Sequence, residues 1–412
     1  MRLRIKDLAT KVGSGVTPKG GASVYQDNGI PLFRSQNVTN DGFLLDDIAY
    51  ISEEIHKSMI GTRLMPNDVL LNITGASIGR CYYLPKNFKE GNVNQHVCII
   101  RPKVNVVIPA FLYYNLISAV GQQMIDVCQT GANREGLTKE NICNFEFDIP
   151  SLADQQRIVT YLDTKLSEID HQVSLLTSKR DAYLRLKKSI INHAVTRGLN
   201  PNVKMKDSGI EWIGEVPEHW EVKRLKNVVE CNAKSLGENT PKDSIIKYVE
   251  ISDVDHVHGI NNIQSLMFGE APSRARRITQ KGDIIISTVR TYLKAIAKIE
   301  DDDIIVSTGF AVLHPTKCNG EYLAYYILSE SFINRVEMLS KGTSYPAINA
   351  SDLVSINVLI PPLPEQRAIA TYLDDKCAKI DTIVSNLDKQ ISRYADLKRS
   401  LIDEVITGKR AV

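Results

Sequence analysis

The sequence predicts an α+β protein: two similar mixed α/β modules separated by two long helices that pair as an antiparallel, intramolecular coiled coil. Three observations carry this expectation. One stretch is written twice at a constant offset of 211 residues, without a gap from Ile149/Ile360 to Thr196/Thr407. Each copy carries an apolar residue every three or four positions. The segments ahead of the copies lack that periodicity over most of their length and show short β-type runs instead. A duplication this long divides the chain into two like halves, each ending in a helix.

The division places a first module at residues 1–150, a central helix at 151–198, a linker at 199–220, a second module at 221–360 and a C-terminal helix at 361–408. In the first module, Asp68–Ile73 and Val97–Ile100 read as strands. In the second, Asp283–Ser287 and Ile304–Val306 do so, with turn residues such as Pro66-Asn67-Asp68 and Lys281-Gly282-Asp283 between runs. Each module then holds one amphipathic stretch, Phe111–Cys128 or Tyr322–Leu339, followed by a loop opening at Gly131 or Gly342.

The central helix starts near Ala153, with Leu162, Leu166, Ile169, Val173, Leu176, Tyr183 and Ile190 along its seam and Arg180 and Lys187 interrupting it. The C-terminal helix starts near Pro364, where a missing N–H is not needed. Its seam is Leu373, Cys377, Ile380, Val384, Leu387, Ile391, Tyr394 and Leu401, with Lys398 interrupting it. A helix of about 43 residues would be about 65 Å long, and its single apolar stripe needs a partner. The duplicate is the nearest one, and a module before each helix favours antiparallel pairing. Heptads alone would favour a dimerisation arm; the placement of the modules shifts the reading to an intramolecular pair.

Bulk composition sets bounds. The chain has 412 residues, 43% hydrophobic and 24% charged, with a net charge of +2, so affinity for nucleic acid would have to come from local patches. The seven cysteines are scattered with no C-x-x-C, which favours a reducing, cytoplasmic setting over disulfides or structural zinc. No segment reads as a signal peptide or a membrane span. His256 and His258 have no third ligand nearby in sequence, so no metal is expected. No phosphate-binding loop and no catalytic motif is present, which excludes the common NTPase and amino-methyltransferase signatures.

The stretch Lys206-Asp207-Ser208-Gly209-Ile210-Glu211-Trp212-Ile213-Gly214-Glu215-Val216-Pro217-Glu218-His219-Trp220 resembles the linker ahead of a target recognition domain in the specificity (S, HsdS) subunits of Type I restriction–modification systems. The start of the second helix, Pro362-Leu363-Pro364-Glu365-Gln366, and the preceding Gly342-Thr343 are similar to the same family. The first helix start, Pro150-Ser151-Leu152-Ala153-Asp154-Gln155, is a looser copy, and no segment like 206–220 precedes the first module.

The resemblance implies a non-catalytic subunit that reads a bipartite double-stranded DNA target, one half per module. It implies helices that set the half-site spacing and dock two methyltransferase (M) subunits, with restriction (R) subunits completing the complex. It implies no cofactor in this chain: S-adenosylmethionine, ATP and Mg²⁺ belong to the partners, and no membrane is involved. The alternative is a coiled-coil protein–protein scaffold without DNA contact.

Base reading draws on Arg or Lys for guanine and Asn or Gln for adenine. In the second module residues 271–298 gather Arg274, Arg276, Arg277, Lys281, Arg290, Lys294 and Lys298 against one acid, Asp283. With Thr288, Tyr292 and the loop Lys341-Gly342-Thr343-Ser344-Tyr345 they make the leading candidate for a DNA face. The first-module candidates are Arg34, Gln36, Asn37, Thr74, Ser77, Arg80, Asn94, Gln95, Asn133 and Arg134. Most such contacts should go to phosphate rather than to bases.

Overall fold

The computed structural model describes residues 1–129, 136–256 and 258–412; the candidates Asn133 and Arg134, and the loop-opening Gly131, lie outside the described residues. The chain forms two compact units, Met1–Leu176 with Lys389–Val412, and Thr177–Asp388. The division cuts both long helices, so it does not follow the segment boundaries read from the sequence. Each unit joins one module to half of each helix.

In the first unit a four-stranded antiparallel sheet runs in the order Ala9–Ser14, Val97–Pro102, Val69–Asn72, Cys81–Tyr83. Beside it lies a three-stranded sheet, Ala49–Ile51, Ile30–Phe33 and Asn92–Val93, whose last pair is parallel. Val69, Leu70, Leu71 and Val97–Ile100 are all buried, which is why they read as unbroken apolar runs and not as an alternation. The second unit repeats the plan. Its antiparallel sheet is Val229–Cys231, Phe310–Pro315, Ile284–Ser287, Ile296–Lys298. Its other sheet is Gln264–Met267, Ile245–Val249, Ile304–Ser307, Ala275–Ile278, with the central pair parallel.

The amphipathic stretches differ from expectation. Each is two helices, Pro109–Ile117 with Ala119–Gln129, and Gly320–Ile327 with Glu330–Leu339. Serine makes the break. Ser118 and Ser329 adopt extended backbone and donate to the carbonyls of Asn115 and Tyr326. Each second helix is capped from a long helix of the same unit: Ala119 N donates to Asp403 at 2.6 Å, and Ser331 Oγ to Asn192 at 2.6 Å. Asp403 and Asn192 are copies of one position, 211 residues apart.

The long helices span Leu152–Arg197, 46 residues, and Leu363–Ile406, 44 residues, or about 69 and 66 Å. In the first unit Leu162, Leu166 and Ile169 share a core with Leu401, Ile402 and Val405. In the second, Ile191, Ala194 and Val195 share one with Ile369, Leu373 and Cys377. The start of each helix meets the end of the other, so the pair is antiparallel. Ile380 and Leu387 are buried along the seam, while Val173, Leu176, Tyr183, Ile190, Val384, Ile391 and Tyr394 are half-buried.

The basic interruptions of the seams have partners across it. Lys398 meets Asp170 at 2.7 Å in the first unit, and Lys187 meets Asp381 at 2.7 Å in the second. Asp170 and Asp381, and Lys187 and Lys398, are repeat copies, so exchanging the halves turns one bridge into the other. Arg180 reaches Asp388 at 3.4 Å. Burial disfavours the Lys398 ammonium, but hydrogen bonds from it to Asp170 and Asp41 outweigh that and hold its pKa above the ordinary lysine value.

Both helix starts are anchored by a buried amide. Gln155 accepts from Ile108 N at 2.8 Å and donates to the carbonyls of Val106 and Pro150, both at 3.0 Å. Gln366 accepts from Asn319 N and donates to the Pro361 carbonyl, both at 2.7 Å. A second repeated contact lies beside it: Tyr114 donates to Asp163 at 2.6 Å and Tyr325 to Asp374 at 2.7 Å. In the linker, strands Met205–Asp207 and Glu215–Pro217 form a hairpin that delivers Trp220 into the second module's core, with Trp212 packed against it.

Candidate nucleic-acid interface

In each module a tight turn closes the hairpin at the edge of the antiparallel sheet. It is a 3₁₀ turn at Gly75–Ser77 in the first module and at Thr291–Leu293 in the second. Each turn docks on the loop that precedes the module's last strand. Leu137 N donates to the Ile73 carbonyl and Ile348 N to that of Thr288, both at 2.9 Å, with bridges Thr74–Gly136 and Val289–Ala347 beside them. This docking brings Thr288, Arg290, Tyr292 and Lys294 to the loop of Lys341, Thr343, Ser344 and Tyr345, segments about fifty residues apart in sequence.

The second-module edge is exposed and aromatic. Tyr345 is 66% and Tyr292 52% exposed, and the Arg290 guanidinium lies over the Tyr345 ring at 4.9 Å. Residues 341–345 are all exposed. Lys294 pairs with Glu337 at 3.4 Å, and Thr288 Oγ1 donates to the Gly309 carbonyl.

Arg274 adjoins this edge through backbone. Thr308 N donates to its carbonyl and Thr288 N to that of Gly309, both at 2.8 Å. Its side chain meets Glu250 at 2.7 Å, and Glu250 also accepts from the Tyr248 hydroxyl at 2.6 Å. Burial pushes the Glu250 carboxyl up, but donation from Tyr248, Ile251 N and Arg274 prevails and leaves it below the ordinary glutamate value.

The basic run 271–298 is not one patch. It threads three strands and the two turns between them, so successive side chains leave on different faces. Arg276 lies over Phe268 at 4.7 Å, and Arg277 donates to Ser235 at 3.4 Å. Lys298 is taken up by Glu300 at 3.0 Å and Glu321 at 2.7 Å, and Lys281 accompanies a turn whose backbone N–H bonds Asp302. The one acid in the run, Asp283, is buried and holds His314 at 2.8 Å.

In the first module three adjoining bends collect the candidates. Asn94 N donates to Phe33 O at 3.1 Å, Asn72 Nδ2 to Ser35 O at 2.7 Å and Ile73 N to His96 O at 3.0 Å. Arg34 and Gln36 both engage Asp47, at 3.2 and 2.5 Å. Thr74 and Gln95 flank His96, on Nδ1 at 2.5 Å and Nε2 at 3.0 Å, and Gln95 also contacts Thr17. Arg80 is exposed and Ser77 half-buried. Two candidates face inward. Asn37 is 1% exposed, its amide bonded to Arg34 N and to the carbonyls of Leu44 and Asp47. Asn94 is 7% exposed and accepts from His96 N. Their amides hold the bends and are not displayed.

Sequence reading passed over His96, Asp47 and Glu250. Glu250 occupies the place of Arg34: each precedes a 3₁₀ turn and donates its N–H to the side chain three residues on, Asn37 or Asp253. The motif x-x-x-Asn/Asp is the only signal the two share.

Among the described residues no group of three or more His, Cys, Asp or Glu side chains is placed to hold a metal ion, and no helix is long and apolar enough to cross a membrane.

Comparison with known proteins places these features. The family model for the Type I restriction modification DNA specificity domain matches twice, over residues 1–175 and 217–393. The chain is 23% identical to the type I restriction enzyme MjaVIII specificity subunit of Methanocaldococcus jannaschii, over 83% of this chain and 79% of that one. It is 22% identical to the EcoKI specificity subunit of Escherichia coli K12, over 96% and 86%. A solved chain from work on complex assembly and conformational transition of the type I R-M system superposes with a TM-score of 0.73 at 16% identity, covering 98% of this chain and 97% of that one.

Proposed function

Because the chain belongs to the family of Type I restriction–modification specificity subunits, we propose that it reads a bipartite DNA target, one half-site per module, and that its paired helices set the half-site spacing and dock two methyltransferase subunits. The observation that carries this reading is the doubled exposed edge. Each module closes its sheet with the same turn docked on the same loop, and each surrounds that turn with different side chains. Two edges of one build and different chemistry suit two different half-sites.

The helices support the rest. Half-site spacing follows from the scaffold that carries the readers, and each helix is continuous through 46 or 44 residues. Repeat-related bridges and anchors give two similar surfaces, as two identical partners require. Methyl transfer, restriction and their S-adenosylmethionine, ATP and Mg²⁺ would reside in the methyltransferase and restriction subunits, this chain contributing recognition without catalysis.

Co-expression with its methyltransferase, followed by mapping of methylated bases in host DNA, tests this. Two short motifs separated by a constant unread spacer are expected; a single continuous motif would overturn the reading. A scaffold without DNA contact would instead leave the assembled complex with no salt-dependent DNA binding.

A further inference from the structure

The edge turns of the two modules share two hydrogen bonds at corresponding positions. Asn72 N bonds Arg80 O as Ser287 N bonds Ala295 O, and Ile78 N bonds Gly75 O as Leu293 N bonds Arg290 O. Through this register Gly75 matches Arg290 and Gly79 matches Lys294. All four have left-handed backbone, with φ of 71° and 85° in the first module and 52° and 51° in the second. The turn therefore demands positive φ at both places. Glycine meets that demand without strain, and the first module uses it twice. The second module holds two long cationic side chains in a conformation that L residues avoid. Strain kept at an exposed turn points to a use for the side chain.

The two cations are not equivalent. Lys294 is tied to Glu337, as Arg274 is to Glu250. Arg290 is held by a ring: Tyr345, on the docked loop, lies 4.9 Å from its guanidinium. An aromatic face fixes the guanidinium without consuming its N–H donors. A fixed, planar, fork-shaped donor on an exposed edge suits the paired acceptors O6 and N7 that guanine presents in the major groove. A phosphate would need only charge, which a lysine on unstrained backbone supplies.

We infer that Arg290 is a specificity-determining residue that reads a guanine in the second module's half-site, with Tyr345 as its positioning residue. This rests on the DNA-reading function proposed above.

The test uses the complex assembled with methyltransferase subunits, after its target has been mapped. Arg290→Gly installs the first module's residue and should leave the fold intact, checked by thermal melting. Binding is then measured to the cognate duplex and to duplexes altered at each half-site position. Wild type should lose about tenfold to a hundredfold in affinity when one guanine is replaced, and Arg290→Gly should show no loss at that position while keeping discrimination elsewhere. Arg290→Lys should behave like the glycine variant, and Tyr345→Ala should weaken the same single position. Discrimination by either Arg290 variant that matches wild type at every position would overturn the inference and leave the two-half-site reading standing. A wild-type complex with no bipartite target would remove that reading instead.

Discussion

The two modules place a buried aspartate at the same point of the same sheet and give it different partners. In the first, Asp68 accepts from Nε and one terminal nitrogen of Arg101, at 2.7 and 2.8 Å, and from Met65 N. In the second, Asp283 takes the imidazole of His314 at 2.8 Å and accepts from Gln280 N. The residues opposite differ in sign: Lys11 faces Arg101 across the strands and Glu230 faces His314. The same contrast recurs at the exposed edge, where Arg34 corresponds to Glu250 and glycines correspond to Arg290 and Lys294. Backbone geometry and the buried aspartate have been kept while side-chain charge has been exchanged around them, at half-buried and exposed positions. Drift alone readily alters surfaces; here the hydrogen-bonding role survives and the charge changes around it.

The sharpest way to break the comparison is at what both modules keep. Gln155→Ala and Gln366→Ala each strand buried amide and carbonyl groups, and each should cost about 4 kcal/mol in urea unfolding monitored by circular dichroism. Near-equal losses are expected; a neutral Gln366→Ala would show that the second anchor is ornamental. Next comes the buried aspartate. Asp68→Ala leaves a half-buried guanidinium without its carboxylate and should cost about 3 kcal/mol, whereas Asp283→Ala, which leaves an imidazole able to be neutral, should cost about half that. Equal losses would mean that the arginine and histidine pairs are interchangeable. The smallest effect probes the turn. Among the described residues Gly75→Ala meets no atom within 4 Å, so its expected cost is backbone strain, about 1 kcal/mol. A loss well above that would show that this turn, unlike its counterpart, accepts no side chain.

Much of this architecture was legible in the sequence because duplication is a long-range signal. The offset of 211 places both helices, their seams and their lysines, and antiparallel pairing follows from where the modules lie. The anchors Gln155 and Gln366 were written in the repeat too, but a buried glutamine looks like a surface one until its partners are known. The edge turns were harder. Their offset is 215, not 211, because the first module carries four more residues between its turn and its long helix, so the match between Gly75 and Arg290 emerges only from hydrogen-bond register. Asn37 shows a further limit: the same amide chemistry suits a base edge and a turn, and only burial tells them apart. The basic run 271–298 failed as one patch because clustering in sequence is not clustering on a face when a strand intervenes.

The swapped bridges Asp170–Lys398 and Lys187–Asp381 carry one more consequence. A chain truncated after the central helix would retain both Asp170 and Lys187, and two such chains could satisfy each other across a true twofold axis. Ile190, Ile191 and Ala194 of one copy would stand where Leu401, Ile402 and Val405 stand now, and Asn192 where Asp403 caps a helix. A gene of half the length would then encode a symmetric homodimer, which under the function proposed above would read a palindrome. Under the function proposed above, the chain that fuses two unlike halves would free its target from that symmetry.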